Sequence, residues 1–231
     1  MTLRIVTWNV KCRSAGHEQW EYLSSFHPDI AFLQECHSPE HYPIPLEKRE
    51  AFAAWSQTHE VRIPRGIMIY SDSVELKVPK TLRNFLSYVL AREIEIHGKE
   101  ILLVNIYGKF HVNADVTVTM DKTFDELSSL LTSYSSVILG GDLNLSVDYG
   151  RKHRGRDETV LRCIKTDFNL MDCTNGVGEK EIITQESKNK PYQVDYIFAT
   201  PELATNVDCR VVLNDKGLSD HYPVVAEFAG T

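Results

Sequence analysis

The sequence has no long apolar run and no recognisable leader. No stretch approaches the roughly 18 apolar residues of a membrane-crossing helix, so we expect no transmembrane segment. Met1–Trp8 contains no cluster of positive charge followed by an apolar stretch, so we expect no signal peptide. Internal repeats and linkers rich in Pro, Gly or Ser are also missing. We therefore expect a single domain over residues 1–231.

Cysteine is sparse and widely spaced, and no two cysteines form a C-x-x-C pair. This pattern argues against a zinc site and against a disulfide framework. We expect reduced and mostly buried thiols in a cytoplasmic protein. The cysteines are Cys12, Cys36, Cys163, Cys173 and Cys209.

Positive charge is in deficit. The chain of 231 residues has 25 Lys and Arg against 32 Asp and Glu, so its formal net charge is 25 − 32 = −7. This balance argues against a basic protein that coats nucleic acid indiscriminately. It leaves open an enzyme that meets nucleic acid only locally. A hydrophobic content of 42% is ordinary for globular proteins and excludes a disordered chain.

Apolar runs and periodic patterns predict many strands and a few helices. Helices placed among many strands are typical of an α/β sandwich with mixed sheets. The predicted strands are Leu3–Val10, Ile30–Leu33, Gly66–Tyr70, Leu86–Ile96, Glu100–Tyr107, Ser136–Gly141, Val194–Ala199, Cys209–Leu213 and Val224–Phe228. The predicted helices are Glu18–Phe26, Asp121–Leu131 and Thr159–Phe168.

Most of the predicted strands border on an acid, an amide or a phenol. In α/β folds, ligands bind at strand ends, where loops converge on a rigid scaffold. Turns favour Asp and Asn in any case, so one such residue says little, but several together indicate a site. The polar residues at these positions are Asn9, Glu35, Tyr107, Asp142, Asn144, Asp195, Asp220 and His221.

Four of these residues are carboxylates, and Asn9 and Asn144 add neutral oxygens. Such hard ligands suit Mg²⁺ or Mn²⁺ and do not suit zinc. Carboxylates that are brought together without a cation repel one another and raise each other's pKa. A divalent ion removes that repulsion and polarises a phosphoryl oxygen. His221 adds an imidazole that titrates near neutral pH.

Six short motifs together resemble the endonuclease/exonuclease/phosphatase superfamily of metal-dependent phosphoesterases, which includes nucleases, inositol-polyphosphate phosphatases and sphingomyelinases. They occur in the order of that family and span residues 7 to 223, nearly the whole chain. The motifs are Thr7-Trp8-Asn9-Val10, Leu33-Gln34-Glu35, Leu103-Val104-Asn105-Ile106-Tyr107, Gly140-Gly141-Asp142-Leu143-Asn144, Val194-Asp195-Tyr196-Ile197-Phe198 and Ser219-Asp220-His221-Tyr222-Pro223.

The resemblance implies a four-layer α/β sandwich in which two central mixed β-sheets are flanked by helices. It also implies that Glu35 is the principal ligand of a Mg²⁺ ion, for which Mn²⁺ could substitute, and that Asn9 assists it. Asp220 would ligate metal at a second position. Lys11 stands where several nuclease members carry an aspartate that helps to bind metal.

The resemblance further implies catalytic roles for the remaining strand-end residues. Asp142 would orient or deprotonate the attacking water, and Asn144 would position that water or the phosphate. Asp195 would fix His221, which would contact the scissile phosphate or act as a base. Tyr107 would bind phosphate or assist the leaving group. The implied reaction is in-line attack of water on phosphorus.

A basic run follows Asn144 in the sequence. It is either a solvated loop or an electropositive rim that steers a polyanion towards the site. The candidate substrate-binding residues are Arg151, Lys152, Arg154, Arg156 and His111.

Three functions are consistent with the sequence. The first is a Mg²⁺-dependent nuclease that acts on DNA, with RNA as a further substrate. The second is a phosphatase or phosphodiesterase that acts on a small molecule or a lipid head group. The third is a catalytically silent module that binds nucleic acid. We expect a monomer whose partner is a nucleic acid, with DNA favoured.

Overall fold

Strands dominate the chain. The structure is a computed structural model that describes residues 2–11, 17–59, 64–80, 88–108, 116–148, 156–174, 181–187, 190–213 and 216–230. The strands of the first half are β1 (Thr2–Asn9), β2 (Ile30–Cys36), β3 (Ala53–His59), β4 (Arg65–Ser71), β5 (Val89–Ile96) and β6 (Lys99–Tyr107). Those of the second half are β7 (Val137–Asp142), β8 (Met171–Asp172), β9 (Gln185–Ser187), β10 (Lys190–Tyr192), β11 (Asp195–Ala199), β12 (Val207–Val211) and β13 (Val224–Ala229).

The helices lie between the strands in the sequence. They are α1 (His17–Ser24), α2 (Leu46–Phe52), α3 (Val116–Leu131), α4 (Arg156–Asp167) and α5 (Pro201–Ala204), and a short 3₁₀ helix covers Pro39–His41. Within the described residues, no helix is both long enough and apolar enough to cross a membrane. The cysteines described are free thiols, of which Cys36 and Cys173 are buried and Cys163 and Cys209 are partly exposed.

The strands form two mixed sheets and one small ribbon. The six-stranded sheet has the order β12-β13-β1-β2-β4-β3, and the five-stranded sheet has the order β5-β6-β7-β11-β8. Strands β1 and β2 run parallel, as do β6 and β7, whereas the other pairs are antiparallel. The ribbon pairs β9 with β10. These sheets confirm the α/β class with two mixed sheets.

The two sheets face each other across an apolar core. Leu3, Ile5 and Phe32 of the six-stranded sheet share one cluster with Leu103 and Phe198 of the five-stranded sheet. Their side chains are almost completely buried, which explains why these strands read as nearly continuous apolar runs.

Helices cover the outer faces of the sheets. Trp20 and Leu23 of α1 pack with Val6, Trp8 and Leu33 in a second apolar cluster on the six-stranded sheet. Helices α3 and α4 contribute buried side chains to the main cluster, among them Phe124, Leu127 and Ile164. The chain is thus layered as helix, sheet, sheet and helix.

Candidate active site

Strand register alone places three of the predicted residues in one row. Strand β6 runs parallel to β7 and sets Tyr107 beside Asp142. Strand β11 runs antiparallel to β7 and sets Asp195 on the other side of Asp142. Because paired residues in adjacent strands lie about 5 Å apart, these three side chains meet at one edge of the five-stranded sheet.

The six-stranded sheet brings Asn9 and Glu35 to the same edge. Strand β1 ends at Asn9, which pairs with Gln34 of β2. The register of β2 shifts between Leu33 and Cys36, and Glu35 has a φ of 47°. A non-glycine residue in this left-handed region is uncommon and is often found at functional sites. The irregularity interrupts the regular pairing of β2 at Glu35, whose carboxylate contacts Asn9, Tyr107 and Arg65.

A buried polar contact ties the two sheets together behind these residues. Gln34 Nε2 donates to Asn105 Oδ1 at 2.8 Å. Asn105 Nδ2 donates to the carbonyl oxygens of Leu33 at 3.1 Å and Met68 at 2.9 Å. Both side chains are completely buried, so each hydrogen bond replaces one that water would otherwise make. Glu35 directly follows Gln34 on β2, and Tyr107 lies two residues after Asn105 on β6. The contact therefore anchors the backbone next to both site residues.

His221 and Asp195 form a buried pair. His221 Nδ1 lies 2.9 Å from Asp195 Oδ2, and the carbonyl of His221 accepts a hydrogen bond from Trp8 Nε1 at 3.0 Å. Burial alone would lower the pKa of His221, but the charges of Asp195, Asp142 and Asp220 raise it to about 9. The ring is therefore held as a cation at neutral pH by its carboxylate neighbours.

Asp142 lies at the centre of the pocket. Its Oδ2 accepts a hydrogen bond from Asn9 Nδ2 at 2.9 Å, and its Oδ1 accepts one from the Asn144 backbone N–H at 3.0 Å. His221 Nε2 is 3.9 Å from Asp142 Oδ2. Burial raises the pKa of Asp142 to about 7 against the opposing effect of His221, and Asp195 adds to the rise. Asp142 can therefore gain or lose a proton near neutral pH.

Glu35 accepts hydrogen bonds from three directions. Tyr107 OH donates to Oε1 at 3.0 Å, and Asn9 Nδ2 approaches the same oxygen at 3.3 Å. Arg65 Nη1 pairs with Oε2 at 3.2 Å. Burial and the charges of Glu35 and Asp142 raise the pKa of the Tyr107 phenol, so Tyr107 remains a neutral donor.

Asn144 lies beside Gly108, the residue that directly follows β6. It has a φ of 51°, and its Nδ2 donates to the Gly108 carbonyl at 2.8 Å. Gly108 packs so closely on Leu143 that an added Cβ would lie 2.0 Å from the Leu143 carbonyl oxygen. This close approach fixes the Asn144 backbone N–H where it meets Asp142.

Two further contacts in the site were not predicted from the sequence. Lys11 Nζ forms an ion pair with Asp220 Oδ2. The Gln185 side chain lies 3.0 Å from His221 Nε2, and its amide can offer either an oxygen to a protonated ring or an NH₂ to a neutral one. The sequence marks Lys11 only by its place two residues after Asn9 and does not predict its ion pair, and Gln185 belongs to no motif.

The structure brings together all eight residues predicted at the strand ends, although their roles remain predictions.

The structure describes only one residue of the basic run. Arg156 is exposed at the first position of α4. Arg151, Lys152, Arg154 and His111 lie outside the described residues.

The pocket fits a divalent cation. Asp142, Asp195 and His221 are buried, and one side-chain N or O atom of each lies within 4.8 Å of the others. The protonated His221 ring has no lone pair for a metal, so the carboxylates are the candidate donors. Within the described chain, Asp195 Oδ1 is buried without a hydrogen-bond partner. A buried carboxylate oxygen without a donor is costly unless a cation satisfies it. The oxygen-rich donor set favours a hard ion of the magnesium type.

A histidine–aspartate pair beside a carboxylate-rich pocket, at the strand ends of two packed sheets, defines a phosphoric ester hydrolase. The chain belongs to the Endonuclease/Exonuclease/phosphatase family, whose sequence pattern matches residues 6–221. Members of this family typically use a divalent metal ion. A search of curated protein sequences gave no match.

Solved structures of similar fold cover nearly the full chain. The 3′-5′ exonuclease NExo from Neisseria meningitidis is 20% identical, with a TM-score of 0.70 over 98% of this chain and 99% of that one. An AP endonuclease from Archaeoglobus fulgidus is 18% identical, with a TM-score of 0.64 over 98% and 99%. Truncated TDP2 from Caenorhabditis elegans is 17% identical, with a TM-score of 0.66 over 99% and 97%. These likenesses confirm the fold.

Proposed function

We propose that this chain is a Mg²⁺-dependent nuclease that hydrolyses phosphodiester bonds in DNA. The convergence of Asp142, the His221–Asp195 pair and the Glu35–Asn9 pair in one pocket supports the proposal most strongly. Structures of similar fold include an exonuclease, an AP endonuclease and a Neisseria NExo structure bound to a product DNA hairpin.

Glu35 and Asn9 would hold the metal ion. When bound, a divalent ion lowers the energy of negative charge on phosphate oxygens. Arg65 and Tyr107 orient the Glu35 carboxylate through the contacts at its two oxygens. The neutral phenol of Tyr107 is also a donor that can turn towards a phosphate oxygen.

Asp142 is the proposed base for the attacking water. The oxygen of water forms a bond to phosphorus, the bond to the leaving oxygen breaks, and the water proton passes to an Asp142 carboxylate oxygen. The leaving oxygen takes a proton from solvent. A base is most effective when its pKa is near the working pH, and that of Asp142 is raised to about 7. Asn144 holds one Asp142 oxygen in place.

His221 is the proposed stabiliser of the charge that develops on the phosphoryl oxygens. The pKa of its ring is raised to about 9, so the imidazolium is present at neutral pH. Asp195 holds the ring through Nδ1, and Nε2 contacts the Gln185 side chain and lies 3.9 Å from Asp142 Oδ2. Fixed donors of this kind are worth roughly 10²–10³ in rate in other hydrolases.

A panel of substrates tests the proposal. The purified protein is incubated with Mg²⁺, and separately with chelator, against single-stranded DNA, duplex DNA, abasic duplex, RNA, phosphoinositides and small phosphodiesters. The proposal predicts Mg²⁺-dependent cleavage of DNA by the wild type and a rate lower by roughly 10²–10⁴ for Asp142→Asn. Turnover of phosphoinositides or small phosphodiesters without cleavage of DNA would instead assign the pocket to a phosphatase or small-molecule phosphodiesterase.

A further inference from the structure

The Lys11 side chain turns back towards the acidic residues of the pocket and contacts Asp220. The residue follows β1 directly, has a φ of 50°, and donates its backbone N–H to Asn9 Oδ1 at 3.0 Å. An L residue adopts this left-handed conformation only when its surroundings require it. Here the turn delivers the Lys11 ammonium to Asp220 Oδ2, where the two groups form an ion pair.

The partner of Lys11 is a partly buried acid. Asp220 Oδ1 is buried and has no hydrogen-bond partner within the described chain. The Lys11 and Asp220 side chains form an ion pair and are 34% and 22% exposed, so Lys11 is the cation in direct contact with this acid.

The charges of the pocket leave room for one divalent ion. Its four acids, Glu35, Asp142, Asp195 and Asp220, carry −4 when ionised. Lys11 pairs with Asp220, Arg65 pairs with Glu35, and the His221 cation pairs with Asp195, so three cations bring the sum to −4 + 3 = −1. One divalent ion more than offsets this charge, and a second would leave the pocket strongly positive. A second ion at Asp220 would be repelled by the Lys11 ammonium.

We infer that Lys11 acts as a built-in cation at Asp220 and thereby limits the pocket to a single divalent ion. The inference rests on the proposed function, because it concerns the ion that Glu35 and Asn9 would hold. It also changes the role expected for Asp220. That residue neutralises and places the ammonium group in the wild type, and it becomes a metal ligand only when the ammonium is removed.

Counting bound ions tests the inference independently of catalysis. Mn²⁺ is titrated into the metal-free protein by isothermal calorimetry and by electron paramagnetic resonance of the free ion. The wild type is expected to bind one Mn²⁺. Lys11→Met, which has a similar length and no charge, is expected to bind two. Lys11→Arg restores the charge and is expected to bind one.

A double variant identifies the second ligand. Lys11→Met combined with Asp220→Asn is expected to return to one Mn²⁺, and circular dichroism checks that each variant is folded. Two ions in the wild type, or one ion in a folded Lys11→Met protein, would overturn the inference and leave the nuclease proposal standing. No Mn²⁺ binding by the wild type would overturn both.

Discussion

At the residue scale, the central feature is the burial of Asp142 among other acids. Its side chain is almost completely inaccessible, and Asp195 and His221 are its charged neighbours. An ionised carboxylate in such a place is costly, because it has lost its hydration and faces a second negative charge. In the proposed mechanism, this carboxylate takes up a proton from the attacking water near neutral pH.

This cost makes stability depend on pH in a definite direction. The pKa of Asp142 is raised from 3.8 to about 7, so its contribution to stability is present below the lower value and is lost as pH rises through the higher one. In chelator at pH 8, Asp142→Asn should therefore unfold at a higher urea concentration than the wild type. Its free energy of unfolding should be higher by roughly a few kcal/mol. The advantage should shrink as the pH falls from 7 towards 4.

A matched control separates burial from a simple loss of negative charge. Asp208 is an exposed acid on β12, and Asp208→Asn removes the same charge without relieving buried repulsion. Urea midpoints for the three proteins are compared from pH 4 to pH 8. A pH profile for Asp142→Asn that matches that of Asp208→Asn would contradict the raised pKa.

At the element scale, the β9–β10 ribbon braces the histidine. Glu186 donates its backbone N–H to the Asp220 carbonyl at 2.8 Å, and Tyr222 donates its own to the Thr184 carbonyl at 2.7 Å. Thr184 Oγ1 also accepts the backbone N–H of Asp195 at 3.0 Å. The ribbon and the preceding Thr184 thus contact the segments that carry His221 and Asp195, and β9 places Gln185 beside the ring.

Removing the Gln185 amide should lower catalysis without changing substrate binding. Gln185→Ala leaves His221 without its contact at Nε2, so we expect kcat to fall by up to about tenfold, the equivalent of one hydrogen bond, while KM stays the same. Glu186→Ala on the same strand alters an exposed contact with Tyr222 and serves as the control. An equal fall in kcat for both variants would show that the ribbon acts only by its general stability.

Loss of the Gln34–Asn105 contact should lower the free energy of unfolding by more than the loss of one exposed hydrogen bond would. Asn105→Ala removes three buried hydrogen bonds and leaves the Gln34 amide without its acceptor on β6. We expect the free energy of unfolding to fall by about 2–5 kcal/mol, measured from urea midpoints at constant m-value. Asn206→Ala at an exposed position is the control. A loss below 1 kcal/mol would mean that the contact is not what ties the sheets together.

The sequence predicted the central strands well because their apolar runs are buried on both faces. It missed β3 and the ribbon for identifiable reasons. Strand β3 lies at the edge of its sheet and reads Ala-Ala-Trp-Ser-Gln-Thr-His, with few β-branched residues. Each ribbon strand has three residues, and β10 includes Pro191, so no period can be read from them. Helix α3 begins at Val116, five residues before the predicted Asp121, in a segment of β-branched residues.

The candidate site was predictable where short motifs carry its residues. Asn9, Glu35, Tyr107, Asp142 and Asp195 follow apolar strands directly or begin one, and that position can be read from the sequence. The contacts of Lys11, Arg65 and Gln185 depend on a turn, a neighbouring strand and a ribbon that meet only in the folded chain. Such convergence leaves no local pattern.

At the scale of the whole molecule, the net charge of −7 and a polyanionic substrate have to be reconciled. Four of the acids lie in the pocket, where Lys11, Arg65 and a bound divalent ion would offset them. The field that a phosphate meets is therefore set locally, and the overall charge only disfavours indiscriminate binding. Salt dependence of DNA binding should accordingly be modest compared with that of a basic DNA-coating protein.

The most direct test of the account is the rate at which the protein cleaves DNA in Mg²⁺, compared among the wild type, Asp142→Asn and His221→Ala. The account predicts cleavage by the wild type that chelator abolishes, and rates lower by roughly 10²–10⁴ in each folded variant. Near wild-type rates in either variant, or wild-type cleavage that persists in chelator, would contradict it.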